Sequence, residues 1–285
     1  MNHRIIARLD IKGPNLVKGI HLEGLRVLGK PEVFAKHYYE TGADELFYQD
    51  VVASLYERNS LHEIISKTAN EIFIPLTVGG GLRTIEDINN VLRAGADKVA
   101  INTAAIKNPN LIREASRTFG SSTIVVAIEA IKQNNGQYFA YTDNGREYTG
   151  IEVCKWAKMV EDLGAGEIIL TSVDKEGTGN GFDIELTKLV ADIVSIPVIA
   201  HGGAGKSEHI SQVISSGKAE AVAIASMIHY NFNDKTLNFT EFKDEGNIDF
   251  IKNNKKSTKF KDENFSTIKE HLKNQKINCR PIKLY

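Results

Sequence analysis

The chain has no excess of charge of either sign. Its 35 Lys and Arg stand against 36 Asp and Glu, a formal net charge of −1. That balance excludes the global electrostatic pull that carries proteins onto nucleic acid or anionic membranes. Cysteine is scarce: Cys154 and Cys279 are the 2 present, and they fit neither metal-ligand nor redox spacing. No metal and no cofactor is therefore expected, and so few thiols suit a reducing, cytoplasmic setting. No apolar run is long enough to span a bilayer, and the first residues carry no signal-peptide apolar core. What is present, 42% apolar and 25% charged residues over 285 positions, is ordinary for a globular enzyme. The length allows one large α/β barrel or two small domains.

The stretch Arg4 to Gly13, RIIARLDIKG, is strand-like through Ile5, Ile6, Leu9 and Ile11 and ends in an acid, Asp10, followed by loop residues. A carboxylate at the end of a buried strand is costly unless solvated or paired, and that end is where an α/β barrel carries its catalytic groups. The plainer alternative is that Asp10 caps the strand or pairs with Lys12. A second copy bears on the choice. Ile124 to Lys132, IVVAIEAIK, repeats the design with Glu129 as its acid. Glu45 and Glu167 are 122 residues apart, and so are Pro75 and Pro197, while Asp10 and Glu129 are 119 apart. A repeat of this length exceeds solenoid periods and reads as two similar half-barrels in one chain.

Eight strand-like runs are expected: Ile5 to Ile11, Glu45 to Val51, Ile74 to Val78, Lys98 to Asn102, Thr123 to Ile131, Glu167 to Val173, Pro197 to His201 and Ala221 to Ser226. Helix-like segments fall between them, near Pro31 to Thr41, Ser60 to Asn70, Thr84 to Ala94, Pro109 to Thr118, Ile151 to Leu163, Asp183 to Val194 and Ser207 to Ser216. Pro31 and Pro109 suit first turns, and Gly42, Gly95, Gly164 and Gly217 suit left-handed C-terminal caps. Strict alternation implies a parallel sheet, and eight rounds close a (β/α)8 TIM barrel spanning residues 1–285 as a single domain. Gly13 to Lys30 reads as a long loop carrying Lys18, His21 and Arg26, either a functional lid or plain surface. Asn231 to Asn264 reads as a surface insertion before a final helix at Phe265 to Asn274, with Phe239, Phe242, Phe250 and Phe260 packing it down.

Gly79-Gly80-Gly81 and Gly202-Gly203-Ala204-Gly205 each follow an apolar strand and precede a helix. Glycine lets backbone approach a ligand, and N–H groups there bind anions. With Asn102-Thr103 and Ala225-Ser226 ending the next strands, the pattern points to two phosphate sites. Asp10 and Glu129 would then flank the middle of an elongated bisphosphate, placed for acid–base work.

The stretches RIIARLDIKG, Leu16-Val17-Lys18-Gly19, DELFYQDVVAS, LTVGGG, GADKVAINTAA, VVAIEA, GAGEIILTSVDKEGT and IAHGGAGKSEH together resemble the cyclase subunits of imidazole glycerol phosphate synthase. The resemblance covers nearly the whole chain apart from the insertion and the C-terminal tail. It implies a cytoplasmic lyase of histidine biosynthesis. Such an enzyme takes ammonia from a glutaminase partner and closes an imidazole ring on a phosphoribulosyl-formimino-aminoimidazole-carboxamide ribonucleotide. Its products are imidazole glycerol phosphate and aminoimidazole carboxamide ribonucleotide.

By the same resemblance, Asp10 is one catalytic acid and Glu129 stands where a second, normally aspartate, is expected. Gly80, Gly81, Asn102 and Thr103 fall on one phosphate site; Gly203, Ala225 and Ser226 fall on the other. Lys18 falls on a mobile lid, Asp50, Thr77 and Thr171 line the top of the barrel, and Gly177 joins the substrate-binding set. Arg4, Glu45, Lys98 and Glu167 match a charged ammonia gate at the N-terminal face, where the glutaminase would dock as a heterodimer. The plainer reading of that ring is a structural ion-pair cluster. Four departures stand out: Glu129 itself, Arg8 in place of a usual cysteine, Glu176 in place of aspartate, and His201 in place of a small serine. Arg8 shares Asp10's side of the strand, so it would lower that acid's pKa. These departures keep two alternatives open. One is a barrel that passes ammonia to a sugar amidotransferase in surface-polysaccharide synthesis; the other is a non-catalytic scaffold for the glutaminase.

Overall fold

The computed structural model describes residues 2–53, 61–232 and 260–282. Its strands are β1 (Arg4–Lys12), β2 (Asn15–Ile20), β3 (Glu23–Gly29), β4 (Glu45–Asp50), β5 (Leu76–Gly79), β6 (Lys98–Ile101), β7 (Ile124–Lys132), β8 (Tyr138–Thr142), β9 (Glu147–Glu152), β10 (Glu167–Ser172), β11 (Val198–His201) and β12 (Ala221–Ile224). Eight of these close a parallel barrel in the order β1, β4, β5, β6, β7, β10, β11, β12, which returns to β1. The (β/α)8 fold expected from the alternation is present, with each of the eight strands where the sequence placed it to within two residues at either end.

The long loop of residues 13–30 is not a loop. β2 and β3 form an antiparallel hairpin that continues β1, with Asp10 opposite Val17. The second half repeats it, as β8 and β9 continue β7 with Glu129 opposite Tyr141. Both acids thus sit where a barrel strand leaves the closed sheet and starts pairing with its own hairpin. The second hairpin had no counterpart in the sequence reading, because β8, YFAYT, and β9, EYTGIE, are short and lie in a stretch rich in turn formers.

Helices at Pro31–Thr41, His62–Ala69, Ile85–Arg93, Asn110–Phe119, Val153–Asp162, Ile184–Ala191 and Ser207–Ser215 cover the barrel. Thr84 and Asp183 cap their helices by accepting from the N–H groups of Asp87 and Leu186. Gly42, Gly95 and Gly164 take positive φ as expected, but at the fourth position the left-handed residue is Lys218, not Gly217. Gly217 instead lies against the Val213 carbonyl, where a side chain would collide. Pro109 precedes its helix as the cap residue rather than opening the first turn. Most of the insertion expected at 231–264, with Phe239, Phe242 and Phe250, lies outside the described residues. Phe260 is buried and stacks on Tyr230 with ring centroids 5.4 Å apart.

The barrel's interior is built in layers by side-chain alternation. On β1, Ile5, Ala7, Leu9 and Ile11 join the core under the helices, while Ile6 packs inward with Phe47, Ala100, Val125, Ile169, Ile199, Ala221 and Ala223. Arg4, Arg8 and Asp10 share the inward side with Ile6. The inward stack therefore runs from a charged bottom, through an apolar plug, to a polar top.

The C-terminal helix Phe265–Asn274 is pinned to the barrel by buried charge. Asp44 accepts from Lys269 Nζ at 2.6 Å, Arg280 Nε at 2.9 Å and the Ile5 N–H at 2.8 Å. Removing one partner of a buried pair strands the other. Asp44→Ala is expected to cost on the order of 3–5 kcal/mol in urea unfolding, against a small change for Lys36→Ala in the exposed Lys36–Glu71 pair. Equal effects would show that Asp44 carries no such anchor.

Candidate active site

The polar top layer is organised by a chain of buried charges of alternating sign. Arg8 Nε donates to Asp10 Oδ1 at 2.9 Å, and Lys18 Nζ donates to Asp10 Oδ2 at 2.6 Å. Lys18 also pairs with Glu176, whose carboxylate accepts the Leu22 N–H at 2.9 Å. All four side chains are at most 4% exposed. Lys18 is thus brought from the first hairpin directly onto Asp10, while Lys12, the alternative partner, is exposed at the end of β1. Burial alone would raise the Asp10 pKa, but the Lys18 and Arg8 charges reverse the sign and hold the carboxyl well below its ordinary range. The lowering expected from Arg8 is present, with Lys18 the larger contributor.

Arg8 reaches further. Its guanidinium lies over the Phe47 ring, 5.6 Å from the centroid, and its Nη1 donates to His201 Nδ1 at 3.2 Å. A guanidinium only donates, so Nδ1 is an acceptor, and the ring proton of neutral His201 resides on Nε2. Burial, Arg8 and Lys18 all push His201 well below its usual pKa, which agrees with a neutral ring. Thr171 Oγ1 lies 3.1 Å from the same Nδ1.

Glu129 stands in a different environment. Its Oε2 accepts the Gly145 N–H at 2.8 Å from the turn between β8 and β9. That turn holds Asp143, Asn144 and Gly145 at consecutive positive φ of 53°, 59° and 75°, a path that Asp, Asn and Gly tolerate best. Asn144 in turn donates to the Val51 carbonyl, tying the turn across the barrel mouth. Burial pushes Glu129 up to about 7, with the Gly145 N–H and Arg8 acting the other way and Asp143 adding to the rise. The two acids found by internal repeat are therefore unequal, because one faces two cations at contact and the other faces none.

Two recesses open beside them. The larger, about 170 Å3, is lined by Arg8, Asp50, Gly80, Gly81, Asn102, Thr103, Glu129 and Thr171, with Arg83 and Lys107 at its edge. The smaller, about 10 Å3, is lined by Glu176, Gly177, His201, Gly203, Ala225 and Ser226. Gly80 and Gly203 both have positive φ, and a Cβ on either would strike backbone, at Asp50 and Gly181 respectively. Gly177 lies under the first hairpin, where a Cβ would come 2.7 Å from the Gly19 carbonyl. Asp50 Oδ1 also accepts the N–H groups of Val52 and Ala53. Of the residues named from the sequence for the top of the barrel, Asp10 and Lys18, paired with each other, line neither recess, and nor does Thr77. It pairs in register with Phe47 and Lys98, one layer further down.

At the opposite end, Arg4 Nη1 lies 2.8 Å from Glu45 and 2.9 Å from Glu167, and Lys98 Nζ lies 3.4 Å and 3.1 Å from the same two acids. The four residues named from the sequence form one closed ring at the N-terminal mouth. Two residues of the top layer carried no signal that pointed to them. Asn144 sits in an unmarked turn, and Gln49 precedes Asp50 within β4; both line the larger recess.

Comparison with known proteins gives one consistent answer. The family model described as "Histidine biosynthesis protein" matches residues 4–233. The chain is 60% identical over 210 residues to the imidazole glycerol phosphate synthase subunit HisF of Legionella pneumophila, covering 74% of this chain and 99% of the relative. It is 46% identical over 255 residues to the subunit of that name from Methanococcus vannielii, covering 82% and 93%. It is 47% identical over 249 residues to the one from Methanocaldococcus jannaschii, covering 81% and 92%.

A carboxyl whose folded pKa is raised binds protons that the unfolded chain has already released, so its folded state loses stability as pH climbs from the unfolded value to the folded one. For Glu129 that window runs from 4.5 to about 7. Glu129→Gln is therefore expected to be neutral near pH 4 and to stabilise the protein by about 3 kcal/mol near pH 8, on the order of 1.4 kcal/mol per pKa unit. Denaturant melts at the two pH values check it, and the same difference at both would mean that Glu129 keeps an ordinary pKa.

Proposed function

We propose, for a chain that belongs to the histidine-biosynthesis protein family and to its imidazole glycerol phosphate synthase cyclase branch, that the barrel mouth carries the ring closure and the N-terminal mouth admits its ammonia. The activity is that of the cyclase subunit, a lyase. The substrate we assign is the phosphoribulosyl-formimino-aminoimidazole-carboxamide ribonucleotide, cleaved and cyclised with ammonia to imidazole glycerol phosphate and aminoimidazole carboxamide ribonucleotide. The observation that carries this reading is the pairing of two buried acids, at equivalent ends of β1 and β7, with two glycine-edged recesses in the same two halves.

In this reading Gly80, Gly81, Asn102 and Thr103 take one phosphate through backbone N–H groups and the Asn and Thr side chains. Gly177, Gly203, Ala225 and Ser226 take the other, with the His201 Nε2–H as an added donor. Asp10 and Glu129 face the reacting middle, and Lys18 closes the first hairpin over it. Asp50 and Thr171 complete the wall. Thr77 is left out, since it lies a layer lower. Asp10→Asn is expected to lower ammonia-dependent turnover by about 10²-fold or more at unchanged folding. Turnover equal to wild type, assayed with the bisphosphate and an ammonium salt, would overturn the role of Asp10.

The partner follows from the chemistry. Ammonia is mostly protonated at neutral pH, so a sealed supply from a glutaminase is an advantage, and the face around Arg4, Glu45, Lys98 and Glu167 is where we dock it. Each acid of the ring binds both cations, so opening it costs ion pairs that a docked partner must replace. Lys98→Ala is expected to change the yield of product per glutamine hydrolysed while largely sparing ammonium-dependent turnover. Equal losses in both assays would mark the ring as structural.

A second reading is favoured by one feature. Arg8, Lys18 and His201 fill the centre and the second recess, leaving about 10 Å3 there. A barrel occupied in that way fits a subunit that forwards ammonia to another acceptor, such as the sugar of a surface polysaccharide. No turnover of the bisphosphate, with glutaminase stimulation intact in the complex, would select it.

A further inference from the structure

Among the described residues, Arg8 is the one buried cation in the wall of the larger recess. It is 4% exposed, whereas Arg83 and Lys107 at the edge are open to solvent. Its contacts hold it in place. Nε donates to Asp10 Oδ1 at 2.9 Å, Nη1 donates to His201 Nδ1 at 3.2 Å and lies 3.4 Å from Thr171 Oγ1, and the guanidinium lies over the Phe47 ring. Nη2 carries two further N–H groups and has no partner among the described residues. It is not sealed off either: the buried polar atoms left without a partner include Asn102 Oδ1 and no atom of Arg8. Since Arg8 lines the larger recess, the Nη2 edge opens there. A guanidinium keeps its protons at any ordinary pH, so this edge is a permanent, charged donor.

The guanidinium also lies between the two recesses. It lines the larger and is bonded through Nη1 to His201, which lines the smaller. A ligand with one phosphate in each passes over it, so Arg8 meets the middle of that ligand and not its ends. On β7 the residue matching Arg8 is Ala127, so the other half of the barrel offers no such donor.

From this geometry we infer that Arg8 is a catalytic residue: its Nη2 N–H groups take the oxygen of the ligand's ketose carbonyl and hold the negative charge that gathers there when ammonia adds. The inference rests on the cyclase reading. Of the groups between the two phosphates of a phosphoribulosyl-formimino-aminoimidazole-carboxamide ribonucleotide, the ketose carbonyl is the most electrophilic. As the ammonia nitrogen bonds to its carbon, the π pair of the C=O bond moves to the oxygen. The nitrogen then sheds one proton and the oxygen gains one, which gives a carbinolamine. Loss of water from it leaves a C=N bond for the ring, and no oxidant or reductant enters. Arg8 keeps its own protons throughout and stabilises the oxygen while it is anionic. Such donors are effective when they are fixed before the reaction. Asp10, His201 and Phe47 fix this one, and they use Nε, Nη1 and the ring face, so none of them competes with the ligand for Nη2.

The test reads the bound carbonyl directly. The bisphosphate, labelled with carbon-13 at the ketose carbon and at the carboxamide carbon, is bound to the whole protein in ammonium-free buffer, where no turnover occurs. The ketone carbon signal is expected to move downfield from its position in free ligand, as a carbonyl does when it accepts from a cation. In Arg8→Met that shift is lost; in Asp10→Asn, which leaves the Nη2 edge in place, it is kept. With ammonium added, Arg8→Met is expected to lower kcat by about 10²-fold or more with KM little changed, the effect of removing one oxyanion donor. A bound ligand whose ketone carbon stays at its free position, or a shift at the carboxamide carbon alone, overturns the inference and leaves the cyclase reading standing. So does a ketone shift that survives in Arg8→Met. If Arg8→Met does not fold, the wild-type and Asp10→Asn spectra decide it. A protein that binds none of the bisphosphate overturns the cyclase reading, and this inference with it.

Discussion

Burying Arg8, Asp10, Lys18 and Glu176 together is the constraint on which the barrel mouth depends. Each of these charges alone would cost several kcal/mol to take out of water. In sequence + − + −, each finds its opposite at contact distance, and the chain sums to zero. The consequences spread outward. Lys18 must be held at the centre, so the first hairpin lies down over the mouth; Glu176 must meet it, so the loop after β10 is drawn under that hairpin. The Leu22 N–H and the Gly177 backbone seat against it as a result.

The two halves of the barrel share a plan and divide its use. Both begin with a strand that ends in an acid and runs into a hairpin. On β1 the residue two before the acid is Arg8; on β7 it is Ala127. That difference puts a guanidinium at the wall of the larger recess from β1 and only a methyl group from β7. It also sets the acids apart electrostatically, since the same burial that raises Glu129 is overridden at Asp10 by contact cations. A duplicated framework thus yields two acids in unlike electrostatic surroundings.

The lower end obeys the same rule with a different outcome. Arg4, Glu45, Lys98 and Glu167 project inward from four strand starts and close on one another. Above them Ile6, Phe47, Val125, Ile169 and Ile199 form a dry layer that separates this ring from the polar top. Anything crossing from one mouth to the other must be small and neutral to pass that layer without a large desolvation cost.

Local pattern carried much of this. Nearly continuous apolar runs marked the eight strands because a parallel barrel buries both strand faces, and the helices announced themselves through Pro31, Thr84, Asp183 and the glycines at 42, 95 and 164. The repeat exposed Asp10 and Glu129 as equivalents, and alternation along β1 put Arg8 on Asp10's side. What the sequence left undecided were matters of long-range approach. That Lys18 rather than Lys12 meets Asp10 depends on the first hairpin folding back over the mouth. The β8 and β9 hairpin, and the turn that delivers the Gly145 N–H to Glu129, depend on pairing with β7. Thr77 was assigned by motif to the top layer, but the stagger of barrel strands sets it beside Phe47. Residue type and period fix which side of an element a group occupies; only the closed sheet, by fixing height and neighbour, decided which charge each acid would face.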